Sequence, residues 1–278
     1  AFGYPTHQTG RRKRPVHIQA GPGRLMAPIA TTTYTDPLQE WLETPIGSSL
    51  LEVEARLARE MLDGLFGEQL LQIGLWGRRD LFLRCARTQS AWITTMPGAP
   101  ELGDVIAEPS RLPVETDSVD VVFMPHTLDL TDHPHAVLRE VYRVLRADGQ
   151  LVVMGFRPGG LWGLRRLLTW GSYPPGRPTM ISDRQLSDWL RLLDMKIHGV
   201  RRYFFRWPLG GNRKPTSRQW ERIGDRWWPE LASCYALTAK KQLHTLTPVR
   251  QRWRRPAAAV GGLARPTAST VHELREEN

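Results

Sequence analysis

Cysteine is scarce in this chain: Cys85 and Cys234 are the only two among 278 residues. They lie far apart and neither has a Cys-x-x-Cys partner. That excludes a disulfide scaffold and the common structural zinc sites, and it suits a reducing compartment. Lysine is scarcer than usual, with five against 33 arginines. So lopsided a ratio reads as coding bias, and arginine abundance alone carries little functional information. No stretch approaches the ~18 consecutive apolar residues of a membrane span. The basic run Arg11–Arg14 is followed by Pro15, His17, Gln19 and Gly21 rather than an apolar segment, so neither a Sec nor a twin-arginine signal is read there. Internal repeats are also missing. These absences predict a soluble, cytoplasmic protein with no membrane partner.

The formal net charge is +10, which at first suggests a nucleic-acid binder. Its placement argues otherwise. Residues 1–25 hold five basic side chains and no acid, and residues 240–278 hold eight basic and three acidic, leaving 25 of each sign in 26–239. The body is neutral. The first methionine is Met26, and the Gly-, Pro-, Arg- and Thr-rich residues before it show no periodicity, so 1–25 are expected to be upstream or non-native sequence. Residues 1–40 are expected to be a disordered basic segment, 41–243 a single domain, and 244–278, with Pro248, Pro256 and Pro266 among arginines, a disordered basic tail.

Within 41–243, strand and helix signals alternate. Ser49-Leu-Leu-Glu52 reads as a capping box, followed by Leu50, Leu57, Met61, Leu62 and Leu65 at helical spacing and stopped by Gly67. The uncharged run from Gln69 to Leu75 reads as a buried strand entering a glycine turn. Residues 79–87 are weakly helical, and Ala91–Thr95 and Asp104–Glu108 are short strands. Val119–Met124 is a β-branched strand. Next comes the strongest helix, capped by Thr131 or Asp132, with Pro134 in its first turn, Val137, Leu138, Val141, Tyr142 and Leu145 on one face, and Gly149 as its stop. Gln150–Phe156 is another buried strand. Ser182-Asp-Arg-Gln185 caps a further helix, and Lys196–Phe205 and Cys234–Lys240 close the set. Residues 157–180 and 206–230 read as Trp- and Arg-rich insertions. The alternation predicts an α/β fold around a mostly parallel sheet flanked by helices.

In such folds a ligand sits outside the carboxyl ends of the strands, where the strand order reverses. The candidate turn is Leu70-Leu-Gln-Ile-Gly-Leu-Trp-Gly77, weak by itself because a glycine after a strand is usually just a turn. The stretch from Glu108 to Asp129 is more specific. It runs acid, Leu112-Pro113, a polar turn, then Ser118-Val-Asp-Val-Val122, and is followed by Leu138-Arg-Glu-Val-Tyr-Arg-Val-Leu-Arg-Ala-Asp-Gly-Gln-Leu-Val-Val153. This order resembles the central half of class I S-adenosylmethionine-dependent methyltransferases of the type 11 kind, strongly over 104–156 and in strand order over 50–240. It resembles most closely an uncharacterised proteobacterial group with a degenerate first glycine motif. The resemblance implies a Rossmann-like methyltransferase fold with a seven-stranded sheet, S-adenosylmethionine as cofactor and a methyl acceptor that no motif identifies. It assigns Gly74 and Gly77 to the cofactor loop, Met96 to the end of the second strand, Glu108 and Pro109 to the adenine, and Pro125 and His126 to the loop along the methionine end of the cofactor and the substrate. His126 is the candidate acid or base.

The sequence departs from the family in three places. Gln72 replaces the acid before the first glycine. Trp76 and Arg78 stand at the second and third glycines, and Thr94-Thr-Met96 replaces the ribose acid. A charge-assisted hydrogen bond is worth ~1.5–3 kcal/mol, so losing the ribose acid alone weakens binding about tenfold to a hundredfold. Two functions follow: a methyltransferase for an unidentified acceptor, or a non-catalytic binding module on the same fold with a decayed cofactor pocket. His126, Asp129, Asp132, His133 and His135 crowd ten residues but read better as a loop and a helix start than as metal ligands, so no metal is expected. The Trp/Arg-rich insertions suit a lid over the sheet better than a stacking surface for single strands. Any nucleic-acid contact belongs to the basic tail. Filter binding would then show affinity that falls steeply with salt and disappears when 244–278 are deleted.

Overall fold

The computed structural model describes residues 37–79, 81–83, 87–96, 103–169, 174–175, 179–206 and 228–242. The tail and most of the 206–230 segment lie outside these residues. Helices α1 (Pro37–Glu43) and α2 (Pro45–Leu62) precede β1 (Gln69–Ile73), β2 (Ser90–Thr95), β3 (Val105–Ile106) and β4 (Val119–Pro125). Then follow α3 (Pro134–Val144), β5 (Leu145–Phe156), α4 (Leu161–Thr169), α5 (Asp183–Leu192), β6 (Met195–Tyr203) and β7 (Cys234–Lys241). The seven strands form one sheet in the order β3-β2-β1-β4-β5-β7-β6. Every pairing is parallel except that β7 runs antiparallel between β5 and β6. The order reverses between β1 and β4, which sets the carboxyl ends of those two strands as the ligand position. None of the described helices is long and apolar enough to cross a membrane.

The sheet is covered on both faces, which is why its central strands carry unbroken apolar runs. All of β4 except Asp120 is buried. One face packs with α1, α2 and α4 through Leu42, Leu50, Leu57, Leu62 and Trp162, and Trp41 meets Trp162 edge-on at 5.4 Å. The other face packs with α3 and α5 through Val137, Leu138, Val141, Leu186 and Leu190. At the far end, Arg157 and Arg202 clamp Asp183 at the start of α5, at 3.4 and 2.8 Å, and both also reach Glu230 just ahead of β7.

Several local expectations shift. Helix α2 starts four residues before the Ser49 box, because Pro45 is preset for a first turn and Thr44 caps it, accepting from the Gly47 N–H at 3.3 Å. Ser49 instead donates back to the Pro45 carbonyl at 2.7 Å. The cap of α3 is His133 without a side-chain bond, and Thr131 accepts the His133 N–H at 3.3 Å. Strand β5 begins at Leu145 rather than Gln150, pairs Leu145 with Val119, and shifts register before Val121. Asp148 there adopts φ +65°. The described residues of 79–87 form turns rather than a helix.

Two helices were illegible. Helix α1 overlaps the segment expected to be unpatterned, with Leu38 and Trp41 buried. Helix α4 lies inside the supposed 157–180 insertion and buries Trp162 completely. Its glycines conceal it: a Cβ on Gly163 would lie 1.9 Å from the Pro158 carbonyl oxygen, and one on Gly160 2.0 Å from that of Ala232. These are close backbone approaches, not loop flexibility.

Asp120 holds the entry to β1. One carboxylate oxygen accepts the N–H groups of Glu68 and Gln69 at 2.8 and 2.9 Å, and the other pairs with Arg146 at 3.0 Å. Asp120→Ala leaves two backbone donors unmatched, and is expected to cost about 2–3 kcal/mol in urea unfolding.

Candidate functional site

Strand β1 ends at Gly74, which takes φ +85°, and the following turn closes at Gly77 with φ +67°. Both conformations favour glycine. The Gly74 N–H donates to the Thr94 carbonyl at 2.9 Å, so the turn is tied to the end of β2. Thr127, just after β4, donates its hydroxyl to the Ile73 carbonyl and lies 3.0 Å from where a Gly74 Cβ would stand. Gly77 faces α2, where a Cβ would meet Leu51 at 2.9 Å. The two glycines therefore let the turn lie tight against β4 and α2.

Trp76, between them, is fully buried. Its ring stacks on the His126 imidazole with centroids 4.1 Å apart and planes 27° from parallel. Its Nε1–H donates to Glu54 at 2.6 Å. The other oxygen of Glu54 accepts the Tyr203 hydroxyl at 2.9 Å and lies 2.7 Å from His126 Nε2. His126 Nδ1 lies 3.0 Å from Asp129 Oδ2, which also accepts the Phe156 N–H at 2.9 Å. Phe156 forms a second aromatic wall 4.1 Å from the imidazole. His126 itself has φ +55°, heads the 3-10 turn Thr127–Leu130, and donates its N–H to the Met154 carbonyl at 2.9 Å. Glu54, Trp76 and His126 have no exposed surface, and Asp129 has almost none.

Both imidazole nitrogens thus face carboxylate oxygens, and only the imidazolium donates from both. Burial, the largest single influence, pushes His126 down. The Glu54 charge and the hydrogen bonds to Asp129 and Glu54 together outweigh it and raise the ring from 6.5 to about 9. Burial raises the Asp129 carboxyl, opposed by its bond to His126. Burial likewise pushes Tyr203 well above its ordinary value, helped by the Glu54 charge.

The residues expected to bind cofactor share the carboxyl edge of the sheet. Gly74, Pro125 and His126 end the adjoining strands β1 and β4. Met96 follows β2 and is 43% exposed. Glu108 is exposed beyond β3, accepts the Ser110 hydroxyl at 2.6 Å, and is followed by buried Pro109. Gly77 belongs to the contact with α2. His126, expected to face the substrate as acid or base, is sealed from solvent in this arrangement, with its ring nitrogens turned to Glu54 and Asp129. Glu54 and Tyr203 were missed. Glu54 did leave a signal, since it stands four residues after Leu50 and three before Leu57, on the apolar face of its own helix.

Does the edge suit S-adenosylmethionine? Gln72 Oε1, Thr94 Oγ1 and Thr95 Oγ1 are buried at the ends of β1 and β2 without a hydrogen-bond partner. Gln72 and Thr95 share one face of the sheet and Thr94 takes the other, so the first two suit a polar ligand at the nucleoside end. At the methionine end, Trp76 and His126 fill the space, so the fit there requires them to move.

Comparison with known proteins places this geometry. Residues 87–153 match the family model described as a methyltransferase domain. An uncharacterised Escherichia coli K12 protein, YafS, is 29% identical over 220 residues, covering 78% of this chain and 87% of that protein. A Thermotoga maritima S-adenosylmethionine-dependent methyltransferase superposes with a TM-score of 0.52 at 17% identity, covering 76% of this chain and 97% of the other. A chain of the Haloferax volcanii complex between a methyltransferase activator and a methyltransferase gives 0.50 at 13% identity, over 74% and 98%.

The raised imidazolium makes stability pH-dependent. A folded-state value of about 9 against 6.5 contributes fully below 6.5, and is lost as pH rises through 9, a change on the order of 3 kcal/mol. Raised Asp129 adds a decline of the same sign from its ordinary 3.8 upward. Urea midpoints measured from pH 6 to 10 should fall steadily, and His126→Gln should flatten the part above 6.5.

Proposed function

From the class I methyltransferase fold that this chain carries, we propose that it is an S-adenosylmethionine-dependent methyltransferase acting on an unidentified acceptor. The observation that carries the reading is the pair of unpartnered buried oxygens of Gln72 and Thr95, on one face of the sheet beside the Gly74 turn, at the strand-order reversal. The match over 87–153 supports it. The backbone at Gly74 and Gly77 would face the amino-acid and ribose portions, and Gln72 and Thr95 would supply the polar contacts that the family takes from carboxylates. Met96 and Pro109 would flank the adenine, and Glu108 would accept from its amino group. Pro125 would border the donor end. The cofactor supplies a methyl group on a sulfonium; the chain's part is to orient the acceptor in line with it and exclude water. The domain at 37–242 would carry this activity, with the basic tail contributing at most a salt-sensitive nucleic-acid contact.

A second reading is favoured by one specific observation. Trp76, at a family glycine position, has its indole fully buried and hydrogen-bonded to Glu54. A protein that keeps the fold for binding alone would look like this. Calorimetry separates the two. S-adenosylhomocysteine is expected to give saturable heat with the wild type, and Trp76→Gly, which restores the glycine, to bind it about tenfold tighter, a gain of ~1.4 kcal/mol. That variant loses roughly 3–5 kcal/mol of packing, so its folding is checked first by circular dichroism. No heat with either protein at millimolar ligand overturns the enzyme reading and leaves the binding module.

A further inference from the structure

The shell around His126 is unusual for a side chain with a merely structural role. Two aromatic rings, Trp76 and Phe156, each stand 4.1 Å from the imidazole centroid and lie 5.9 Å from each other. They therefore form two adjoining walls rather than a sandwich. Carboxylates face the two ring nitrogens from different elements, Glu54 from α2 at 2.7 Å and Asp129 from the turn after β4 at 3.0 Å. Aromatic faces and fixed carboxylates, shut off from water, are what attract a soft, delocalised cation. We propose that this shell is a binding site for a small organic cation, with the His126 side chain as its built-in occupant.

The charge balance agrees. Two carboxyl groups face one imidazole, and the remaining donors to them are Trp76, Tyr203 and the Phe156 backbone. Removing the imidazolium strips the carboxylates of their only formal positive charge among these contacts. A cation from solution would then recover both the Coulombic and the aromatic contacts, whereas a neutral molecule of the same shape would recover only packing. The left-handed backbone of His126, φ +55°, fits the exchange: this residue heads the turn Thr127–Leu130, and a glycine there would relax the conformation. The groups facing the ring are Glu54 on α2, Asp129 on the turn and, through Glu54, Tyr203 on β6, with Cys234 on β7 next to Tyr203 in the same electrostatic set. The inference concerns the site of the proposed function but does not depend on cofactor binding.

The test uses the full chain with His126→Gly and two probes of equal size. At pH 6, 20 mM imidazole, mostly protonated there, is expected to raise the melting temperature of the variant by several degrees and leave the wild type unmoved. Neutral pyrazole should not. Trimethylsulfonium, a cation without the imidazole shape, should raise it as well. Equal shifts from pyrazole and imidazole, or none from either cation, overturn the proposal. Should the variant fail to fold, proton NMR of the wild type decides: His126 is expected to show two ring N–H signals at pH 7.5 that disappear together near pH 9. A neutral ring at pH 7 overturns it. Silence of S-adenosylhomocysteine in calorimetry would sink the proposed function and leave this result standing.

Discussion

A single buried carboxylate organises this molecule. Glu54 sits on the inward face of α2, with no contact with water. It is satisfied by Trp76 from the turn after β1, His126 from the turn after β4, and Tyr203 from the end of β6. A lone ionised carboxylate at that depth would be prohibitively costly, so the three donors are obligatory, not decorative. Each also fixes its own segment: the glycine turn, the left-handed turn after β4, and the edge of the antiparallel β6-β7 pair. The shape of the carboxyl edge of the sheet follows from satisfying one negative charge.

The same bonds account for the packing of the turns that follow β1 and β4. The Trp76 indole both fills space and donates to Glu54. The turn after β1 is thereby tied to an acidic residue on α2. His126 bridges the carboxyl groups of Glu54 and Asp129. The nucleoside end is less committed: its threonine and glutamine oxygens are buried without partners of their own. One edge of one sheet thus holds the bonded ring around Glu54 beside buried oxygens without partners, Asp129 Oδ1 among them.

The strands and the two helical layers were legible because they are written in hydrophobic periodicity over runs of five or more residues, whereas the seven-stranded order followed only from the resemblance. Val119–Met124, the face of α3 and the Ser182 cap of α5 needed no tertiary information. Helix α4 was hidden because Gly160 and Gly163 look like loop residues, although they serve close backbone approach. The Ser49 box misled because Pro45 and Thr44 offered an earlier start. In the site, Trp76 announced itself by standing at a glycine position and His126 by following β4. Tyr203 could not be found, since nothing local marks a tyrosine that bonds across the whole domain. Glu54 is visible in the sequence as a charge among leucines on the apolar face of its helix.

The bond between Tyr203 and Glu54 joins residues 149 apart in the chain. A contact of such separation forms late, after the chain has closed a large loop. Trp76 and His126 reach Glu54 from segments nearer to it in the chain. The carboxylate's full set of partners therefore exists only once β6 has joined the sheet, which ties the last part of the domain to its first helices.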